Sequence, residues 1–206
     1  MKKIVLASGN PGKLAEFREL LADTGLTLIA QSSLGIAEAE ETGLSFIENA
    51  LIKARQACRL SGLPALADDS GLIVPALAGA PGLISAHYAG AHGNSQANRD
   101  HLLKAMQALP AAQRSAYFYC VLVLMRHASD AQPLIASGSW YGRILSAPRG
   151  SAGFGYDPIF FDPAQGKSAA EMSNADKNRI SHRGQAMRQL RGLLIAAAEH
   201  GGTDPT

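Results

Sequence analysis

The chain has 206 residues, enough for one substantial core or for two lobes that share a site. Charged residues make up 17% and apolar residues 47%, which excludes an intrinsically disordered chain, and a formal net charge of +2 is too small to imply nucleic-acid binding. Cys58 and Cys120 lie far apart in apolar runs, so they read as small buried hydrophobes in a reducing compartment, not as a disulfide framework or zinc site.

The first apolar run, Ile4 to Ala7, predicts a short buried strand. Lys2 and Lys3 precede it, but it stops at Ser8-Gly9-Asn10, too short for a signal peptide or a membrane span, and the expected location is cytoplasmic. Ser8-Gly9-Asn10-Pro11-Gly12-Lys13 then leads into a helix with the apolar stripe Leu14, Phe17, Leu20 and Leu21, closed near Gly25. Leu26 to Ala30 is a second strand, so the chain opens on a βαβ-like unit. The turn has glycines that admit a ligand to the backbone, amides at a helix start that favour anions, and Lys13 as a mobile cation. It lacks the Walker A spacing, and taken alone it reads as an ordinary strand-to-helix turn.

Residues 31 to 43 form a loop with Glu38, Glu40 and Glu41, by default a solvated acidic segment. It could also bring a carboxylate towards a hard cation such as magnesium, which takes oxygen ligands and often only one or two carboxylates plus substrate phosphates. A helix follows from about Leu44 to Ser61, with Phe46, Ile47, Ala50, Leu51, Ala54 and Cys58 inward and Gly62 as its stop.

Pro64 to Ala67 delivers the stretch Asp68-Asp69-Ser70-Gly71, after which apolar character resumes at Leu72. Adjacent residues of an extended chain point to opposite faces, so at most one of the two aspartates addresses a given site. Two carboxylates at the end of a buried strand are costly unless something satisfies them; a polar turn is the plainer reading. Residues 75 to 93 predict a long ordered loop punctuated by glycine and proline. A helix from Asn94 or Ser95 to Leu109 comes next, then an alternating strand, Ser115 to Arg126, with Leu134 to Trp140 as its hairpin partner.

Gly142 to Pro158 is glycine-rich and carries Phe154, Gly155, Tyr156 and Asp157, where an aromatic face suits a nucleobase or simply anchors the loop. Ser173 and Asp176 suggest a capped short helix. Ser181-His182-Arg183 precedes a final helix with the stripe Met187, Leu190, Leu193 and Leu194; Ser181 caps it, while His182, Arg183 and the nearby Lys177 are donors suited to a carbonyl or a phosphate. The other histidines have no metal-ligand spacing. The tail from Gly201 to Thr206 is expected to fray. Helices and strands intermix, which gives an α/β class with mixed strand directions and no separable linker over residues 1–206.

Taken together and in this order, the segments Ser8–Lys13, Glu40-Glu41-Thr42-Gly43, Phe46–Ala50, Ala67–Leu72, Gly79–Gly82, Gly153–Pro158 and Ser181–Gly184 resemble the inosine triphosphate pyrophosphatase family. The resemblance implies two lobes around a long mixed sheet flanked by helices, with the active site in the cleft between them, and a homodimer. It implies magnesium-dependent hydrolysis of dITP, ITP and XTP between the α- and β-phosphates. By matching position, Ser8, Gly9, Asn10, Pro11, Gly12 and Lys13 would hold the triphosphate and Asp69 would be catalytic. Glu40 and Asp69 would lie near magnesium, with Glu41 and Asp68 as contenders. Ser70, Phe154, Gly155, Tyr156, Asp157, Lys177, His182 and Arg183 would line the nucleotide site. Two rivals remain: a nucleotide sensor that does not hydrolyse, and a dimeric aspartic protease built on Asp69-Ser70-Gly71.

Overall fold

The structure is a computed structural model that describes residues 3–91 and 93–200, the side chains of 198–200 excepted. The expected fraying tail lies outside the described residues. Seven strands form one mixed sheet: β1 Lys3–Ala7, β2 Thr27–Ala30, β3 Ala65–Ile73, β4 Ser115–Met125, β5 Leu134–Ile144, β6 Phe160–Asp162 and β7 Lys167–Ser168. Their spatial order is β2-β1-β3-β4-β5-β6-β7. The helices are α1 Pro11–Leu20, α2 Phe46–Ser61, α3 Ser95–Ala105, α4 Asn174–Ile180 and α5 His182–His200. The chain divides into two compact units, one comprising the residues up to Asp69, Cys120–Gly138 and those from Arg183 onward, the other Ser70–Tyr119 and Ser139–His182.

The first unit contains the predicted βαβ opening. β1 pairs in parallel with both β2 and β3, in a register that sets Leu6 beside Leu66 and Ala7 beside Ala67. Ile4, Leu6 and Leu66 share a core with Phe17 and Leu21 from the first helical segment and with Met187 and Leu190 of α5. α2 packs against β1. Its buried residues are Asn49, Ala50, Ala54, Ala57 and Cys58, a mostly small-residue face that permits close approach to the strands. Ile47, expected inward, is instead 38% exposed, because the buried arc turns towards Asn49 and Ala57. Ser45 caps α2 by accepting from the Glu48 amide while Glu48 Oε2 accepts from the Leu44 amide, a cap of about 1 kcal/mol. Gly62 ends the helix in the left-handed conformation, as its position predicts.

The second unit has its own core, in which Leu72, Leu102, Met106, Phe118, Trp140, Ile144, Ile159 and Phe160 are buried together. Arg114 organises one end of it: its guanidinium donates to the carbonyls of Met106, Ile144 and Leu145 and so joins the end of α3 to the end of β5. Gly142 belongs to β5, not to the glycine-rich loop that follows. A Cβ there would sit 2.7 Å from the Phe160 ring, so the missing side chain makes room for β6. β6 and β7, too short to show alternation, were not expected. The loop expected over residues 75 to 93 contains, among its described residues, two short 3₁₀ turns, Pro75–Leu77 and Gly82–His87. Ser173 caps α4, accepting from the Asp176 amide and donating to its carboxylate.

Candidate active site

The Asp68-Asp69 pair lies within β3, which runs on to Ile73; the plain turn reading is thereby excluded. Alternation sends the two carboxylates to different helices, as the extended geometry requires. Asp68 is fully buried in the first unit, where Lys13 of α1 pairs with its Oδ1 and the Arg183 Nε of α5 donates to its Oδ2 at 2.8 Å. The Cys120 thiol donates to Oδ2 at 3.2 Å, and Arg183 also pairs with Glu16 through Nη1. Burial is the strongest influence on the Asp68 carboxyl and acts to raise its pKa. Arg183 and Lys13 outweigh it and hold the group well below the usual carboxylate range. The same burial, with Asp68 alongside, pushes the Cys120 thiol far up and keeps it protonated. Cys120 is thus buried as expected, but it also faces a carboxylate.

Asp69 has a different environment. Lys53 Nζ of α2 lies 2.5 Å from Asp69 Oδ1 and 2.8 Å from Glu41 Oε1. Burial is the largest influence on Asp69 and raises its pKa; Lys53 opposes this and Glu41 adds to it, so the carboxyl stays raised. Burial opposes the Lys53 charge, yet the two carboxylates outweigh it and raise the lysine. The sharing of Lys53 contributes to both directions, in addition to the burial that raises Asp69. A single ammonium serves two acids, which holds the lysine charged and leaves the aspartate incompletely neutralised.

The turn before α1 is built for its amides. Asn10 is the N-cap, its Oδ1 accepting from the Lys13 amide at 3.1 Å, and Pro11 opens the helix. Ser8 Oγ accepts from the Asn10 amide at 3.2 Å, and the Gly9 amide donates to Glu38 Oε1 at 2.9 Å. Gly12 is partly buried in the first turn. Lys13, expected to be mobile, is anchored on Asp68 because a buried carboxylate demands a cation.

The second unit carries the other predicted residues. Lys177 Nζ pairs with Asp157 Oδ2 at 2.7 Å, both residues being buried, and it lies 5.0 Å from the centre of the Phe154 ring. The Phe154 amide donates to the same carboxylate. Gly153, with φ +76°, allows this, since a Cβ there would collide with Asp157 Oδ2. Tyr156 is buried and donates to the Ser85 carbonyl at 2.9 Å, so it anchors the loop. The His182 ring stacks on Phe118 at 4.8 Å and 15°. Ser70 is partly buried on β3.

Within the first unit, therefore, Lys13, Asp68 and Arg183 form one charged centre, with Ser8–Gly12 in the turn leading to Lys13, and Asp69 pairs beside it with Lys53; within the second, Phe154–Asp157 and Lys177 form another group. Glu40 is exposed, and Glu41 is the acid that shares Lys53 with Asp69. Sequence reasoning missed Lys53 and Glu16. Their signals were faint: Lys53 lies among the alanines of a buried helical face, and Glu16 follows Lys13 by three residues on one side of α1.

Two hard oxygen donors, from Asp69 and Glu41, converge where the Lys53 ammonium lies. That donor chemistry suits a divalent cation completed by substrate phosphates. Among the described residues no group of three or more His, Cys, Asp or Glu side chains is arranged to hold a metal ion alone.

The fold and this centre define an α/β protein whose third strand presents paired aspartates to cations from three helices. A family model described as the Ham1 family matches residues 4–193. A protein of Xanthomonas campestris pv. campestris named dITP/XTP pyrophosphatase is 60% identical over 196 residues, 95% of this chain and 98% of that one. One of Yersinia pseudotuberculosis with the same name is 58% identical over 194 residues, 94% and 98% of the two chains. The solved structure of a HAM1 protein from Coxiella burnetii superposes with a TM-score of 0.87 at 49% identity, covering 96% of this chain and all of that one. The chain belongs to the Ham1 family, in agreement with the resemblance carried by its motifs.

Proposed function

We propose that the protein hydrolyses non-standard purine nucleoside triphosphates, dITP, ITP and XTP, between the α- and β-phosphates, releasing the monophosphate and pyrophosphate. The observation that carries the reading is the Asp69–Lys53–Glu41 arrangement: a raised carboxyl, one shared ammonium and a second acid, in the same unit as an amide-rich helix start. The names carried by relatives of about 60% identity support the same chemistry.

In this account the Ser8–Lys13 turn binds the triphosphate through its amides, with Lys13 adding charge. A magnesium ion, when bound there, would neutralise phosphate charge and stabilise the leaving pyrophosphate. Asp69 and one acid of the 40–41 pair would hold it; Glu41, which shares Lys53 with Asp69, is the favoured acid. Asp69 also accepts the proton of the attacking water, a role that suits a carboxylate whose pKa is raised. Asp68 acts as support, fixing Lys13 and Arg183.

The base belongs to the second unit. Phe154 provides an aromatic face, with Gly155, Tyr156, Asp157 and Lys177 shaping the loop. Hypoxanthine and xanthine carry an acceptor oxygen at C6, where adenine carries a donor amino group. His182 donates to that oxygen; adenine would leave it unsatisfied, at about 1–3 kcal/mol, while Arg183 holds Asp68 and Glu16 in the first unit.

A homodimer and a cytoplasmic location complete the proposal. Among the described residues no helix is long and apolar enough to cross a membrane. The aspartic-protease alternative requires two carboxylates sharing a proton, whereas Asp69 contacts an ammonium. The sensor alternative is separated by one assay: purified protein with magnesium either releases pyrophosphate from dITP or binds it without turnover.

A further inference from the structure

Neither the motifs nor the charged centre includes Arg99, yet this α3 residue reaches the loop to which the base has been assigned. Its Nη1 donates to the Gly155 carbonyl at 2.8 Å, and its Nη2 donates to Gln96 Oε1 at 2.6 Å. Gln96 in turn donates to Asp100, so the group that orients the guanidinium is itself held. The Arg99 Nε is buried and meets no acceptor among the described residues, which leaves the two terminal nitrogens to fix the side chain. Arg99, Gln96, Gly153, Phe154, Gly155 and Pro158 line one cavity of about 550 Å³.

The preceding residue of α3 supports the neighbouring Tyr156. Asn98 Nδ2 donates to the carbonyls of Ser85 and Ala86, and the Ser85 carbonyl also accepts the Tyr156 hydroxyl. Gly155 and Tyr156 are thus restrained at neighbouring points, one directly by Arg99 and one through Ser85. Gly155 has φ +58°, so its own backbone offers little resistance to moving elsewhere. A charge-assisted bond to its carbonyl supplies the restraint that glycine lacks.

We propose that Arg99 is a positioning residue for base recognition. It holds the Gly155 carbonyl so that Phe154 and Asp157 on either side present one geometry to the purine. The proposal rests on the reading of Phe154–Asp157 as the base-side loop. Its consequence is selective. Losing the tether should weaken capture of the nucleotide without touching the hydrolytic centre, because Arg99 belongs to the second unit and Asp69, Lys53 and Glu41 to the first.

The test compares wild type, Arg99→Leu and Arg99→Lys, with pyrophosphate release from dITP and amide hydrogen exchange of the ligand-free proteins as readouts. Arg99→Leu should raise KM about tenfold, the loss of one charge-assisted bond, with kcat within about twofold. Exchange should quicken in the segment 150–158 and remain unchanged in the strands. Arg99→Lys, which restores one cationic donor, should recover part of both effects. An unchanged KM overturns the proposal, whether or not exchange quickens, and so does a fall in kcat at constant KM. If wild type fails to hydrolyse dITP, the functional reading fails, and unaltered exchange in Arg99→Leu would then separately exclude the tether.

Discussion

Asp68 and Asp69 are neighbours on one strand, yet they hold opposite electrostatic states. Asp68 is enclosed by Lys13 and Arg183 and its carboxyl is depressed, whereas Asp69 shares Lys53 with Glu41 and its carboxyl is raised. The strand's alternation makes this possible, because it delivers one acid to α1 and α5 and the other to α2. The pair divides into a residue that holds the centre together and one poised for chemistry.

Substitution should separate those roles. Asp68→Asn leaves Lys13 without its counter-charge and the buried Arg183 with Glu16 alone, and is expected to cost about 3 kcal/mol in urea denaturation. Asp69→Asn should leave stability at neutral pH equal or higher, while pyrophosphate release falls by about 10²–10⁴. A destabilised Asp69→Asn protein would contradict the division.

The same contrast sets the pH behaviour. The folded pKa of Asp68 lies below the ordinary 3.8, so its stabilisation is complete above that value and is lost as pH falls through the depressed pKa. Asp69 is shifted the other way. Its ionisation becomes unfavourable in the folded protein above 3.8, and the acid limb of kcat/KM should therefore lie at higher pH than an ordinary aspartate would give. Glu41→Gln removes a repelling charge and should move that limb to lower pH, measured on whatever activity remains.

Glu38 occupies the Gly9 amide, one of the groups assigned to the triphosphate. A carboxylate at a helix start gains roughly 0.3–1 kcal/mol, which an incoming phosphate must displace. Glu38→Gln is thus expected to lower KM for dITP by about two- to fivefold with kcat unchanged. Steady-state kinetics at low ionic strength would reveal it, and a raised KM would show that Glu38 assists binding.

Removing divalent cations should abolish pyrophosphate release, and adding magnesium should restore it. If activity survives exhaustive chelation, the assignment of Asp69 and Glu41 to a metal falls.

Much of the fold was legible because its signals are local. Gly62 marks the end of α2, the Ser115–Arg126 alternation gives β4, and the Pro11–Gly12 turn announces α1. What escaped was set by tertiary partners. β6 exists because Gly142 leaves room for Phe160, a relation between residues eighteen positions apart. Lys53 reads as an ordinary helical lysine until the fold brings Glu41 and Asp69 to it, and Arg114 finds its three carbonyls only after β5 is in place. The motifs pointed to Asp69 and the Ser8–Lys13 turn, but the sharing of one cation by two acids could not be read from spacing.

The most direct test of the central claim is pyrophosphate release by the purified protein with magnesium, measured in parallel on dITP, XTP, dATP and dGTP. The account predicts fast release from dITP and XTP and release slower by at least about tenfold from dATP, the factor that roughly 1.4 kcal/mol supplies, while dGTP, which shares the C6 oxygen, reports whether its C2 amino group is rejected separately. Equal rates on all four would contradict the proposed reading of the base, and absence of release from every one would contradict the proposed enzyme.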